Sequence, residues 1–364
     1  MKKTILFINL LIFLLFACKK PAEEIILIED FRTRCVKAIE NPKLEGWDLT
    51  ELFIEINGSK EHQHASDLFF ISNETGYVIA DRRLIKTENA GATWNIVPLS
   101  IGGSLERYSE VFFLNKSLGW VLSYHGENCE NSSCDIVPTI WKTNDAGASW
   151  SAIKPKVEGI IGNLYMINEL NGFCLIASSK TGRKLLRTND GGASWTEIPG
   201  VKPSPYHFRI RFTDKNIGFI LGDNDILYKT SDGGDTWQEL HHSLEEAHNI
   251  IFIDNNIGYI TDAISIVKTE DGGQNWQTIY TNESLIRLVH FRNQDEGIAF
   301  INTPQVCDDG TIDYFSNISM TENGGTDWEL DPFGIEPYAI ITSVPSADIC
   351  YMLSSEGLFR FIKK

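Results

Sequence analysis

Thr230-Ser-Asp-Gly-Gly-Asp-Thr-Trp237 is a phrase the chain repeats. It recurs as Thr87-Glu-Asn-Ala-Gly-Ala-Thr-Trp94, Thr143-Asn-Asp-Ala-Gly-Ala-Ser-Trp150, Thr188-Asn-Asp-Gly-Gly-Ala-Ser-Trp195, Thr269-Glu-Asp-Gly-Gly-Gln-Asn-Trp276 and Thr321-Glu-Asn-Gly-Gly-Thr-Asp-Trp328. A short apolar, β-branched run precedes each copy and another follows it, so the phrase reads as a turn between two strands. The side chains of Asp145, Asp190, Asp232 and Asp271, and of Asn89 and Asn323 in the same place, suit a role in folding that turn: they can accept bonds from backbone amides further along. Glycine takes the positive φ that a Cβ resists. The closing Trp brings a large apolar surface for the wedge between neighbouring sheets.

A second element recurs upstream: a polar turn, a glycine and a hydrophobic strand, as in Gly76-Tyr-Val-Ile-Ala, Gly119-Trp-Val-Leu-Ser, Gly218-Phe-Ile-Leu-Gly and Gly258-Tyr-Ile-Thr, with a copy lacking the glycine at Ile349-Cys-Tyr-Met-Leu. One more strand precedes each copy, for example Phe208-Arg-Ile-Arg-Phe212, so a unit holds four strands. Units of this size at this period are propeller blades. Seven copies of the second element stand against six turns, because the last unit ends after its third strand, Gly357-Leu-Phe-Arg-Phe-Ile362. Gly46-Trp-Asp-Leu-Thr-Glu-Leu-Phe-Ile54 stands alone near the start and opens on a Trp as the other fourth strands do. Pairing it with the C-terminal strand removes two raw sheet edges at once. The expected fold is all-β: a seven-bladed propeller over residues 46–364, closed by an N-terminal strand.

The turn phrase resembles the Asp-box of bacterial neuraminidase repeats. Together with the Gly-aromatic-apolar strand ahead of it, the pattern is similar to the photosystem II assembly/stability factor-like family of seven-bladed propellers. That resemblance implies a structural role for the boxes and a non-catalytic, partner-binding propeller, in a family known for an arginine-rich binding patch. It carries no single arginine of this chain into that role.

Lys2 and Lys3, an apolar stretch from Thr4 to Phe16, and Leu15-Phe16-Ala17-Cys18 read as a lipoprotein signal peptide over residues 1–17, with Cys18 as the lipidated residue and residues 18–45 as tether. The protein is then expected in the bacterial cell envelope, held to the membrane through that lipid alone. The formal charge of −17 repels phosphate backbones, which argues against nucleic acid as a partner. Cys129 and Cys134 close a short loop and are the disulfide candidate in an exported chain; Cys174 and Cys350 fall in core strands as buried thiols, and Cys35 and Cys307 stay unassigned. No cofactor is required. Neither the cysteines nor the histidines His62, His64, His241, His242 and His248 assemble a recognisable ligand set, so no metal is expected.

Ligands of such a ring are expected on the rim opposite the boxes. Two loops there are long, Tyr124–Thr139 and Asn302–Asn317, and they offer Tyr124, His125, Asp308, Asp309 and Tyr314 as partner-binding candidates. Arg209 and Arg211 alternate with apolar residues on an innermost strand, which places them either in a salt-bridged network or at the channel mouth. Arg82, Arg83 and Arg183 add candidate cations on the same rim. The expected function is capture of an envelope protein or glycan without turnover. A glycoside hydrolase is the alternative, but the sialidase motif Phe-Arg-Ile-Pro is matched only by Phe208-Arg-Ile-Arg211, in the fourth blade and without its Pro.

Overall fold

The computed structural model describes residues 47–363 apart from 53–54, 57–58, 61–64, 81–82, 100–106, 131–132, 179–181, 203–208, 223–224, 245, 282–283, 307–311, 336–338, 347–348 and 355–357. Seven antiparallel four-stranded sheets follow one another as blades of a propeller. Blade one runs through Ala65–Phe70, Gly76–Ala80, Arg83–Thr87 and Asn95–Val97; blade four, through Arg209–Phe212, Gly218–Leu221, Ile226–Thr230 and Gln238–His241. Blade seven takes three strands from Ala339–Ser346, Ile349–Ser354 and Leu358–Lys363, and its fourth from Trp47–Leu52, paired from Trp47↔Lys363 to Leu52↔Leu358. The closure expected from the unpaired N-terminal strand is present. A two-stranded ribbon, Glu55–Ile56 with Ser59–Lys60, follows it.

Each box folds as its composition dictates. In box four the Thr230 hydroxyl accepts the Gly234 amide at 2.8 Å and donates to Asp232 Oδ1 at 2.8 Å, while that oxygen accepts the Thr236 amide at 2.9 Å. The turn between first and second strands sits beside the box, as the Gly233 amide donates to Asn216 O at 2.8 Å. Both turns therefore form one rim, and the hairpins between second and third strands form the other. The glycine that opens each second strand serves close approach rather than φ: a Cβ on Gly218 would lie 2.5 Å from the Phe212 ring, and one on Gly76 2.6 Å from that of Phe70.

The apolar core is divided among the seams. Seven clusters of buried side chains each join two adjacent blades, from Tyr77, Ile79 and Phe113 between blades one and two to Leu353, Leu358 and Phe70 between blades seven and one. Cys174 lies in the cluster between blades two and three and Cys350 in that between six and seven, both as free, buried thiols.

A latch recurs at these seams. The aromatic after the repeat glycine stacks on the next blade's first strand, as Phe219 does on Phe252 (3.5 Å between centroids) and Tyr351 on Phe70 (3.4 Å). A cation paired with it on the third strand covers its ring and reaches the next blade's box rim. Lys229 lies 5.4 Å from the Phe219 centroid and donates to Gly272 O at 2.8 Å. Lys86 lies over Tyr77 and donates to Ala146 O, Lys142 covers Trp120 and donates to Glu169 O, Arg187 pairs with Asp235, and Arg360 donates to Ala90 O. Blade six has Ile298 and Met320 in the two latch positions, and the blade it faces has no box.

Candidate functional site

Leu68, Val111, Leu164, Ile210, Ile250 and Val289 are buried between blades, whereas the residues beside them keep exposed surface along the axis of the ring. One layer is set by pairing with the latch position of the second strand: Phe69, Phe112, Tyr165, Arg211, Ile251, His290 and Ser343. Two residues earlier on their strands lie Asp67, Glu110, Arg209 and Asn249. The tunnel wall is thus aromatic on blades one to three, acidic on blades one and two, and cationic on blade four.

Side chains of these layers tie neighbouring strands together. The Val111 amide donates to Asp67 Oδ2 at 2.7 Å. Glu110 accepts the amides of Asn163 and Leu164, the second at 2.9 Å, and Asn163 takes a left-handed φ of 52° at this point. The Phe212 amide donates to the Tyr165 hydroxyl at 3.2 Å, and the Phe70 amide to Ser343 Oγ at 2.8 Å.

Burial governs the electrostatics. It pushes the Asp67 carboxyl up to about 7, against bonds from the Val111 and Leu68 amides that favour the anion. Glu110 is pushed up to about 8, first by burial and then by the charge of Asp67, while its two amide donors and Arg209 pull the other way. Burial lowers Arg209, with Arg211 adding to the effect and Glu110 opposing it; burial also lowers Arg211. Both guanidiniums stay charged at any pH the fold survives. His290 is lowered by burial and by the charge of Arg211. Arg211 has exposed surface although protein surrounds its guanidinium, a combination that fits a side chain facing a wet tunnel.

Arg209 lies near enough to Glu110 for its charge to favour the carboxylate, and Arg211 keeps exposed surface. The other candidates lie elsewhere. Arg83 and Arg183 are exposed and sit in third strands rather than in loops. The two long insertions are likewise strands, not polar loops: Gly119–Glu130 and Ser133–Thr143 stay paired out to Glu130↔Ser133, and Gly297–Val306 and Ile312–Thr321 out to Val306↔Ile312. Tyr124 pairs with Pro138 there, and His125 Nε2 lies 2.8 Å from Glu127 Oε1. Tyr314 pairs with Pro304 in blade six through its backbone. Arg82, Asp308, Asp309, Cys18, Cys35, Cys307, His62 and His64, and the side chains of Tyr314, Cys129 and Cys134, lie outside the described residues. The remaining histidines stay local: His241 faces Asp225, His242 is buried with its pKa lowered to about 4 by burial, and His248 Nδ1 lies 3.2 Å from Glu246 O.

Asp67 and Glu110 escaped the reading of the sequence, although a signal was present. Each lies nine residues ahead of its repeat glycine, Gly76 and Gly119, as Arg209 lies ahead of Gly218.

Comparison with known proteins supports the repeat reading. The family model described as photosynthesis system II assembly factor YCF48 matches residues 200–331. The photosystem II assembly lipoprotein Ycf48 of Synechococcus sp. (strain RCC307) is 37% identical over 59 residues, 16% of this chain and 17% of that protein's length. The solved structure of YCF48 bound to D1 peptide has a TM-score of 0.62 at 17% identity, covering 91% of this chain and 98% of that one. YCF48 from Cyanidioschyzon merolae gives 0.60 at 15% identity over 87% and 99% of the two chains, and a streptogramin B lyase 0.54 at 10% over 88% and 99%. At these identities the solved structures show the fold, and the family model matches the stretch that carries boxes four to six.

Proposed function

We propose that this chain is a non-catalytic propeller, lipid-anchored at Cys18 in the bacterial envelope, that holds a segment of a protein partner on the rim opposite the boxes. The observation that carries the reading is the cationic wall of Arg209 and Arg211, charged and partly open to solvent in a molecule whose formal charge is −17. Guanidiniums so placed offer bidentate bonds to carboxylates on a partner, and the surrounding negative charge repels molecules that lack the complementary patch. A propeller with the same repeat family name takes up a peptide, which supports a polypeptide ligand over a glycan. Arg83, Arg183 and the extended hairpins of blades two and six extend the surface outward along that rim.

The test is crosslinking in intact membranes, with identification of the trapped neighbour. Arg209→Ala with Arg211→Ala, folded by circular dichroism, is expected to lower the crosslinked yield at least about fivefold, the loss of about 1 kcal/mol of charge-assisted bonding. Cys18→Ser is expected to release the chain from the membrane fraction. Undiminished capture by the double variant, or hydrolysis of a sialoside or β-glucan at enzyme-like rates, overturns the reading.

A further inference from the structure

We infer that the tunnel of the ring holds a binding site for a small aromatic carboxylate, built from the layer of the innermost strands that runs from Phe69 to Ser343. Each blade gives this layer one residue, and all seven keep accessible surface, so their side chains do not fill the tunnel at this level. Three consecutive blades contribute aromatic rings. Phe69 meets Phe112 edge to face with 5.8 Å between centroids, and Phe112 meets Tyr165 at 5.9 Å, so the rings form a continuous arc over blades one to three. The Phe212 amide donates to the Tyr165 hydroxyl at 3.2 Å, which joins the end of the arc to the strand of Arg211. The fold does not demand rings at this place, since Ile251, His290 and Ser343 serve it in blades five, six and seven.

Arg211 supplies the charge. Among the described residues its guanidinium bonds only the carbonyl of Ile210, at 2.9 Å, and no carboxylate pairs with it. Burial and then the charge of Arg211 hold His290 below the usual imidazole range, so the field of this guanidinium extends from blade four to blade six. The acids of the adjoining layer offer little repulsion to an incoming anion: Asp67 and Glu110 are engaged by backbone amides, and burial favours their uncharged forms. A ligand carboxylate can therefore take the planar fork of Arg211 in a bidentate bond, while a ring attached to it packs on the aromatic arc. Apolar walls with a few placed polar groups are the usual make-up of a small-molecule site. A carboxylate without a ring leaves the arc uncovered, and a ring without a carboxylate leaves the cation unpaired where protein surrounds it. The site needs no protein partner, so it stands or falls apart from the partner-holding role proposed for the same arginine.

The probe is 2-naphthoate, titrated calorimetrically into the full-length protein in detergent, with the detergent alone as blank. One molecule is expected to bind per chain, and 2-naphthylmethanol and cyclohexanecarboxylate are each expected to bind at least about tenfold more weakly. Arg211→Gln is expected to weaken 2-naphthoate at least about tenfold, and Arg211→Lys, which keeps the charge and loses the fork, about threefold or more. Lys215→Gln, exposed on the box rim, is expected to leave the affinity unchanged. The comparison of ligands needs no variant, so it decides the matter even where a substitution disturbs folding. No binding of millimolar 2-naphthoate by the unaltered protein, equal binding of the alcohol, or undiminished binding by a folded Arg211→Gln variant overturns the inference. Binding of 2-naphthoate by a protein that captures no partner supports this site and counts against the partner-holding role alone.

Discussion

Ala146 carries a φ of 55° and Ala90 a φ of 59°, where the later boxes place Gly191, Gly233, Gly272 and Gly324. A Cβ in this left-handed region costs roughly 1–2 kcal/mol, partly offset by the smaller entropy an Ala loses on folding. Ala146→Gly is therefore expected to stabilise the protein by up to about 1 kcal/mol, read as a shift in the midpoint of denaturant unfolding at unchanged slope. At this scale the box was almost fully legible, because its acceptors and its φ values follow from residue type. The opening glycine of each second strand was seen as a repeat but not understood. Its reason is the side chain of a neighbouring strand, Met166 at Gly172 and an aromatic ring at the other copies, and only the pairing register brings Phe212 over Gly218.

At the scale of the element, the strand Trp47–Leu52 follows from the count of strands and from its opening Trp, since a blade with three strands leaves an edge to be filled. Its deletion uncovers the whole length of Leu358–Lys363 and removes Leu52 from the cluster between blades seven and one. The truncated chain is expected to elute as soluble aggregate in size-exclusion chromatography and to lose its cooperative melt; a monomer melting as high as the full chain would show that closure does not depend on this strand. The insertions in blades two and six read as long polar loops, because charged and polar residues interrupt the apolar alternation that marks the other strands. Antiparallel pairing tolerates those residues in a ribbon whose backbone bonds are satisfied across the hairpin. The cation and aromatic of the latch were also visible as residues, but their shared purpose appears only when one blade is laid against the next.

For the molecule as a whole, two sets of carboxyl groups pull stability in opposite directions with pH. Asp145, Asp190, Asp232 and Asp271 are lowered to about 2, first by the side chain that closes each box, Ser149, Ser194, Thr236 and Asn275 in turn. A lowered carboxyl contributes stability above its unfolded pKa, near 3.8, and loses it as pH falls toward 2. Asp67 and Glu110, raised to about 7 and about 8, act in reverse: their contribution is complete below pH 4 and is lost as pH rises through 7 and 8. The melting temperature is expected to peak between about pH 4 and 5 and to decline on both sides. Glu110→Gln, which keeps an acceptor for the two amides, is expected to remove about half of the decline between pH 5 and 8. Calorimetry across that range checks it, and an unchanged slope in the variant would place the cause elsewhere. The acids of the tunnel belong to this scale, because their place nine residues ahead of Gly76 and Gly119 gives a strand position, while their partners appear only when the ring sets Asp67 beside Val111 and Glu110 beside Leu164.

The pairing of Trp47–Leu52 with Leu358–Lys363 also sets an order of events. The strand that completes the seventh blade is synthesised before any other strand of the ring, and its partner more than three hundred residues later. Until residue 363 has been made, the nascent chain is an open arc with an orphaned leading strand, and no local folding can shorten that wait. Blades one to six can form in turn as they emerge, while closure is one late, long-range step that depends on both ends of the chain staying unaggregated until they meet.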